Sequence, residues 1–185
     1  MEPPLIRPAT IADVPSLHAL VESAYRGDSA RGGWTHEADL LGGQRTDAEL
    51  LSAVLSDPAC RILIAGDGAG CVQVTRVDGG RCALGLLAVR PDGQALGLGR
   101  RLIAAAERVA RDDYASKTME MTVIRRRAEL IAWYERRGYR RTGEERAFPL
   151  DDRRFGVPKT LDLDFIVLER ALTGQGSPEI ESVKP

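Results

Sequence analysis

The sequence has few cysteines and no excess of charge of either sign, and each absence excludes a class of protein. Its three cysteines, Cys60, Cys71 and Cys82, are an odd number and form no CxxC pair. We therefore expect a reducing compartment and neither a disulfide framework nor a metal site. The 26 lysines and arginines are balanced by 27 aspartates and glutamates. This balance disfavours nucleic acid as a partner, because phosphate binding needs an excess of positive charge.

The sequence also lacks a long apolar run. No stretch approaches the about 18 apolar residues that a membrane span requires, and the first residues do not follow the basic-then-apolar order of a signal peptide. We expect a soluble, cytoplasmic protein with no membrane partner.

The length and the order of elements indicate one mixed α/β domain. At 185 residues the chain suits a single core, and we predict a domain over residues 1–172 followed by a flexible polar tail over 173–185. Capping-box patterns predict helices that begin at Thr10 and Thr46. Two further helices are predicted at 98–111 and 128–137. Predicted strands are 5–7, 61–65, 71–77, 82–89, 119–124, 139–146 and 161–169.

The connections between these elements predict how the strands pair. Very short glycine-containing turns join the three strands between residues 61 and 89, and such turns permit only antiparallel hairpins. A strand, a helix and another strand follow, which is the order of a parallel crossover. The fold is therefore expected to be an antiparallel meander that leads into a parallel unit.

A glycine-rich segment after the third of these strands predicts an anion site. Gly97 and Gly99 stand at the start of a helix, and Arg100 and Arg101 add positive charge beside them. Free backbone amides and the helix macrodipole attract anions there. The segment is not a Rossmann fingerprint, because Leu102 occupies the third glycine position, and it lacks the Gly-Lys-Ser/Thr of a phosphate-loop NTPase.

Two motifs resemble those of the GNAT N-acetyltransferase superfamily. Residues 89–99 read V-R-P-D-G-Q-A-L-G-L-G and match the motif A pattern V-x-P-x-x-[Q/R]-x-x-G-x-[G/A], while residues 133–139, W-Y-E-R-R-G-Y, resemble motif B. The resemblance covers about residues 5–172. It implies an α/β (α+β mixed) single domain with a mixed, mostly antiparallel sheet of six to seven strands, flanked by about four helices and splayed between its fourth and fifth strands.

The resemblance also implies acetyl-CoA as co-substrate, with no metal. The strand before motif A would bind the pantetheine arm, and the loop amides would bind the pyrophosphate. Tyr134 of motif B would protonate the departing thiolate as general acid; the alternative for Tyr134 is an aromatic core residue. The residues expected to bind the cofactor are Leu87, Ala88, Val89, Gln94, Ala95, Leu96, Gly97, Leu98, Gly99, Arg100 and Arg101.

The sequence departs from the family's pattern in two respects. Arg127 stands where many relatives carry an asparagine, and it either reaches a phosphate or belongs to a solvated helix start. The strand before motif A contains no carboxylate. The general base therefore stays open between Glu120, the group His36, Glu37 and Asp39, and a chain of water molecules.

Residues 32–40, within the long glycine-rich segment 26–45, are the candidate acceptor wall. Trp34, Glu37 and Asp39 combine an aromatic ring with two carboxylates, a combination that suits a cationic amine. The stretch 155–159 is expected to close the opposite side.

These features predict an acetyl-CoA-dependent N-acetyltransferase. It would act on a primary amine of a small molecule or peptide by direct attack in a ternary complex, since no cysteine lies in either motif. The alternative is a non-catalytic acyl-CoA-binding sensor or partner-docking module, which would need neither Tyr134 nor an acceptor pocket. An exposed late strand would allow a homodimer.

Overall fold

A mixed sheet of seven strands organises the part of the chain that the computed structural model describes, residues 4–91, 97–152 and 155–172. The predicted tail over 173–185 lies outside the described residues. All neighbouring strands are antiparallel except one parallel pair, β5 and β6. In order across the sheet the strands are β1 (Ile6–Pro8), β3 (Cys60–Ala65), β4 (Gly70–Val77), β5 (Arg81–Val89), β6 (Thr118–Ile124), β9 (Asp164–Ala171) and β7 (Arg140–Ala147).

A small separate ribbon and five α-helices complete the described part of the chain. The ribbon pairs β2 (Leu41–Gly42) with β8 (Val157–Pro158). None of the described helices has the length and apolar character needed to cross a membrane. The helices are α1 (Val14–Tyr25), α2 (Gly27–Arg31), α3 (Ala48–Ser56), α4 (Leu98–Arg108) and α5 (Ala128–Glu135).

The helices form two separate apolar cores with the sheet. Leu102 of α4 and Ile131 of α5 belong to the larger core, whereas Leu17 of α1 and Leu51 of α3 belong to another. The predicted mixed fold is confirmed, with one more helix than expected because the short α2 follows α1 directly.

Of the two capping boxes predicted from the sequence, the structure contains one. The capping box at Thr10 is confirmed, since the Asp13 carboxylate accepts the Thr10 N–H at 2.8 Å. The prediction for Thr46 was wrong. The backbone N–H of Thr46 donates to Glu22 at 2.9 Å, and Asp47 caps α3 by accepting the Leu50 N–H at 2.7 Å.

The parallel pair β5 and β6 diverges after three residue pairs. Their register runs from Arg81 opposite Thr118 to Ala83 opposite Glu120 and then ends. This opening lies between the fourth and fifth strands of the sheet, which confirms the predicted splay. It leaves one edge of β5 available beyond Ala83.

A β-bulge shapes the end of β5 beside this opening. Two residues of β5 stand opposite one of β4 between Gly85 and Ala88, and Leu86 adopts a left-handed conformation with φ 48°. Such a conformation costs a non-glycine residue about 1–3 kcal/mol. The Tyr25 hydroxyl of α1 donates to the Leu87 carbonyl oxygen at 2.9 Å and so supports the bulge.

The packing of α4 on β4 gives a stability prediction. A Cβ atom at Gly70 would lie 2.9 Å from Leu102 Cδ1 and 3.0 Å from the Ala88 carbonyl oxygen. We expect Gly70→Ala to lower the free energy of unfolding by about 1–3 kcal/mol through overpacking, and the melting temperature by roughly 2–4 °C per kcal/mol.

The matched control for Gly70→Ala is Gly85→Ala, where a Cβ meets nothing within 4 Å. Thermal denaturation of the control should stay within about 0.5 kcal/mol of the wild type. Equal melting temperatures for the two variants would contradict the packing account.

Candidate active site

Two cavities meet where β5 and β6 diverge. The outer cleft, of about 890 Å³, lies against the end of β5 and the start of α4. The inner chamber, of about 140 Å³, lies in the splay itself. Both cavities are lined by Tyr25, Leu87, Arg127, Leu130 and Tyr134. A molecule in the outer cleft and another in the inner chamber would therefore meet beside Tyr134.

Most of the residues expected to bind a cofactor line the outer cleft. Gln94, Ala95 and Leu96 lie outside the described residues. Arg101 is placed elsewhere, because its guanidinium donates to the Pro4 carbonyl oxygen at 2.9 Å. The expected residues that line the cleft are Leu87, Ala88, Val89, Gly97, Leu98, Gly99 and Arg100.

The two glycines at the start of α4 serve different purposes. Gly97 is the N-cap residue, with φ 77°, in the left-handed region that favours glycine. A Cβ at Gly99 would lie 3.5 Å from the Trp133 ring of α5. This is an ordinary van der Waals distance, so Gly99 places the start of α4 against Trp133 of the second motif.

The outer cleft is electropositive. Arg100, Arg136 and Arg137 line it, and no carboxylate is found among its described lining residues. Arg137 stacks on Trp133 at 3.4 Å from the ring centroid. Burial lowers the pKa of Arg137, and the neighbouring Arg136 and Arg100 lower it further. Excess positive charge beside a helix N-terminus is an environment that fits a diphosphate.

Tyr134 is buried but reaches both cavities. Only 5% of the residue is exposed, and its ring packs edge-on against Trp133 and Tyr139 at centroid distances of 5.1 and 5.9 Å. Burial raises the pKa of Tyr134 well above its usual range, and the nearby Tyr25 raises it further. The hydroxyl is therefore protonated at neutral pH and able to donate a proton.

Glu37 is bound by two arginines in the wall of the inner chamber. Its Oε2 accepts from Arg26 at 2.9 Å and its Oε1 accepts from Arg127 at 3.0 Å. Arg127 also donates to Thr35 Oγ1 at 3.0 Å. Glu37 and Arg26 are 9% and 6% exposed. The interpretation of Arg127 as part of a solvated helix start was wrong, because this buried ion trio turns it inward.

The proposed acceptor wall is not one surface. Trp34 lines the outer cleft, where its ring lies 6.1 Å from that of Trp133. Asp39 lies at the protein surface and pairs with Arg31 at 3.1 Å. Of the three predicted residues, Trp34, Glu37 and Asp39, only Glu37 lines the inner chamber.

Glu120 is placed away from both cavities. It lies where β5 and β6 are still paired, and its carboxylate binds Arg81 at 2.8 Å and Arg146 at 3.4 Å. It does not line the inner chamber or the outer cleft. The structure does not bring Glu120 together with Tyr134.

Sequence reasoning missed several residues of the inner chamber. Tyr25 and Arg45 belong to no motif, yet both line the chamber. So do Phe148, Phe155 and Phe165, of which only Phe155 fell in a predicted acceptor segment. Aromatic residues make up only 5% of the sequence, and it has just three phenylalanines. Their grouping in the last third of the chain was the available signal.

Comparison with known proteins agrees with this geometry. No curated protein matches the sequence. The solved structure of the ribosomal-protein-S18-alanine N-acetyltransferase from Escherichia coli is 16% identical, with 94% of this chain and 97% of that chain covered and a TM-score of 0.65. A variant of spermidine N-acetyltransferase SpeG from Vibrio cholerae is 14% identical, with 91% and 93% covered and a TM-score of 0.63.

These likenesses at low identity establish the fold, and the family rests on the sequence itself. The sequence model of the acetyltransferase (GNAT) family matches residues 17–139, more than half of the chain. This match includes most of α1, the divergence of β5 from β6 and both motifs. The chain therefore belongs to the GNAT family of acetyltransferases.

Proposed function

We propose that this chain is an acetyl-CoA-dependent N-acetyltransferase that modifies a primary amine by direct attack in a ternary complex. The observation that supports the proposal most strongly is the junction of two cavities at Tyr134. The outer cleft has the size and charge to take coenzyme A, and the inner chamber, which meets it at Tyr134, has room for an amine.

The outer cleft supplies binding and orientation. Gly97, Leu98 and Gly99 present the start of α4 to the diphosphate, with Arg100 beside them. The β5 backbone at residues 87–89 lies along the cleft and pairs with the pantetheine arm. Leu87 lies in the bulge and has no register partner in β4 or β6, so we assign its amide as the donor to the thioester carbonyl.

Direct transfer then requires a proton donor for the thiolate and a proton acceptor for the attacking amine. The amine nitrogen bonds to the thioester carbon, the carbon–sulfur bond breaks, and the Tyr134 hydroxyl gives its proton to the thiolate. The proton of the attacking nitrogen passes to water, since Glu37 is compensated by two arginines, and Tyr134 regains a proton from water before the next turnover. The positive charge of Arg127 and Arg45 favours the neutral form of a bound amine.

The cysteines support attack without a covalent enzyme intermediate. None of Cys60, Cys71 and Cys82 lines either cavity. Burial raises the pKa of the Cys71 thiol to about 12, so it is not a thiolate at neutral pH. A ping-pong route would need such a nucleophile beside Tyr134.

The inner chamber also favours a transferase over a sensor. A module that only bound acyl-CoA would need the outer cleft alone. Here the chamber reaches Tyr134, where a transferase would need its second substrate.

An amine-library screen that follows thiol release from acetyl-CoA tests the proposal. The proposal would be overturned if none of the amines in the library caused release of coenzyme A.

Removal of the Tyr134 hydroxyl should slow turnover without affecting cofactor binding. We expect Tyr134→Phe to lower kcat by about 10²-fold or more, the usual contribution of a general acid, with the Kd for acetyl-CoA unchanged. Tyr139→Phe is the matched control, because its hydroxyl binds Glu107 at 2.9 Å away from the cavities. Equal kcat values for the two variants would exclude Tyr134 as the acid.

The pH dependence of turnover should reflect the raised pKa of Tyr134. A raised pKa keeps the hydroxyl protonated to higher pH than in a free tyrosine, so the acid function is present throughout the neutral range. We expect kcat at saturating substrates to show no decrease up to about pH 10, the ordinary tyrosine pKa. A decrease that begins near pH 8 and disappears in Tyr134→Phe would contradict this.

Charge at the mouth of the outer cleft should contribute to cofactor affinity. We expect Arg100→Gln to raise the Kd for coenzyme A about two- to fivefold, the size of a solvent-exposed ion pair. Arg108→Gln, an exposed arginine at the end of the same helix, is the control and should leave Kd unchanged. Calorimetric titration measures the Kd for coenzyme A of both variants. Equal values would show that Arg100 does not contribute to cofactor binding.

A further inference from the structure

The inner chamber carries more positive than negative charge. Arg45 and Arg127 line it, and Glu37 is the one carboxylate among its described lining residues. Both oxygens of Glu37 already accept from arginines, Oε1 from Arg127 and Oε2 from Arg26. A cationic group that entered the chamber would therefore meet two guanidinium groups and no uncompensated carboxylate.

Arg45 is the cation of the chamber that has no carboxylate partner. Its guanidinium lies 5.2 Å from the centroid of the Tyr25 ring, and no ion pair joins it to a carboxylate in the described part of the chain. The backbone at this position is held by Glu22, which accepts from the N–H groups of Arg45 and Thr46 at 2.7 and 2.9 Å. A planar guanidinium group matches the geometry of a carboxylate.

The opposite wall of the chamber is apolar. Phe148 packs against Phe165 at 5.1 Å and against Phe155 at 6.1 Å between ring centroids. Leu41 of β2 lines the same chamber. The volume of about 140 Å³ is close to the about 150 Å³ of an apolar cavity that holds benzene. A single small molecule about as large as an amino acid with a branched aliphatic side chain suits such a space.

We infer that the acceptor is a compact α-amino acid with an apolar side chain, whose carboxylate binds Arg45 and whose side chain packs against the phenylalanine wall. The amine then faces Leu87 and Tyr134 at the junction of the cavities. The inference rests on the proposed function and narrows its substrate class. It also excludes polyamines, because like charges in a confined site repel.

The test compares two acceptors that differ only in the charge of the carboxyl group. The value of kcat/KM is measured for L-leucine and for L-leucinamide, with the wild type and with Arg45→Gln. The ratio of the two values is then calculated for each enzyme. The different basicities of the two amines cancel between enzymes. Loss of a charged hydrogen bond should lower the leucine-to-leucinamide ratio about tenfold or more, whereas Arg108→Gln should leave it unchanged.

A second measurement needs no variant and so does not depend on how Arg45→Gln folds. 4-Methylpentanoate, which is leucine without its amine, should inhibit the wild type competitively against L-leucine, and 4-methylpentanamide should not. Isoamylamine and spermidine should be poorer acceptors than L-leucine.

The outcomes distinguish a failure of this inference from a failure of the proposed function. A wild type that acetylates isoamylamine or spermidine in preference to L-leucine overturns the inference alone. So does a leucine-to-leucinamide ratio that Arg45→Gln leaves unchanged, or equal inhibition by the acid and the amide. A wild type that releases coenzyme A with none of the four amines also overturns the inference, and the proposed function falls with it only if no amine in the library screen releases coenzyme A.

Discussion

The early end of pairing between β5 and β6 is the constraint on which the rest of this site depends. After Ala83 and Glu120 the two parallel strands have no further register, so one edge of β5 needs other hydrogen-bond partners. The bulge at Leu86 and the Tyr25 hydroxyl shape that edge. The same divergence creates the inner chamber and joins it to the outer cleft. Tyr134, from the helix beside the gap, then lies at the point that both cavities share.

The two cavities differ in the charged groups that line them. The outer cleft has several arginines at its rim and no carboxylate among its described lining residues, which suits a polyanionic cofactor. In the inner chamber the buried trio of Arg26, Glu37 and Arg127 fixes the wall and cancels one negative charge. A buried ion trio of this kind is costly to break, because removal of one member leaves an uncompensated charge. The trio keeps an excess of positive charge, and the guanidinium of Arg45 adds to it beside apolar lining residues.

The sequence predicted best those features that depend on residues close together in the chain. The hairpins and the parallel unit follow from turn chemistry and spacing. The two motifs and the splay of the sheet followed from the family resemblance. The failures involve contacts between residues far apart in the chain. Arg127 turns inward because Glu37, 90 residues away, binds it, and Thr46 is no cap because Glu22 takes its amide. The left-handed Leu86 has no propensity signal, since non-glycine residues rarely adopt that conformation. For the same reason, the sequence predicted only a few of the residues that line the inner chamber.

The central claim is that two substrates occupy the gap between β5 and β6 together, and one binding measurement tests it most directly. A conjugate in which the sulfur of coenzyme A is joined through an acetyl bridge to the nitrogen of L-leucine should fill the outer cleft and the inner chamber at once. Isothermal calorimetry with the full chain should then give a Kd about a hundredfold or more below that of coenzyme A alone, the gain expected from linked occupation of adjacent sites. A conjugate that binds no more tightly than coenzyme A would contradict the account.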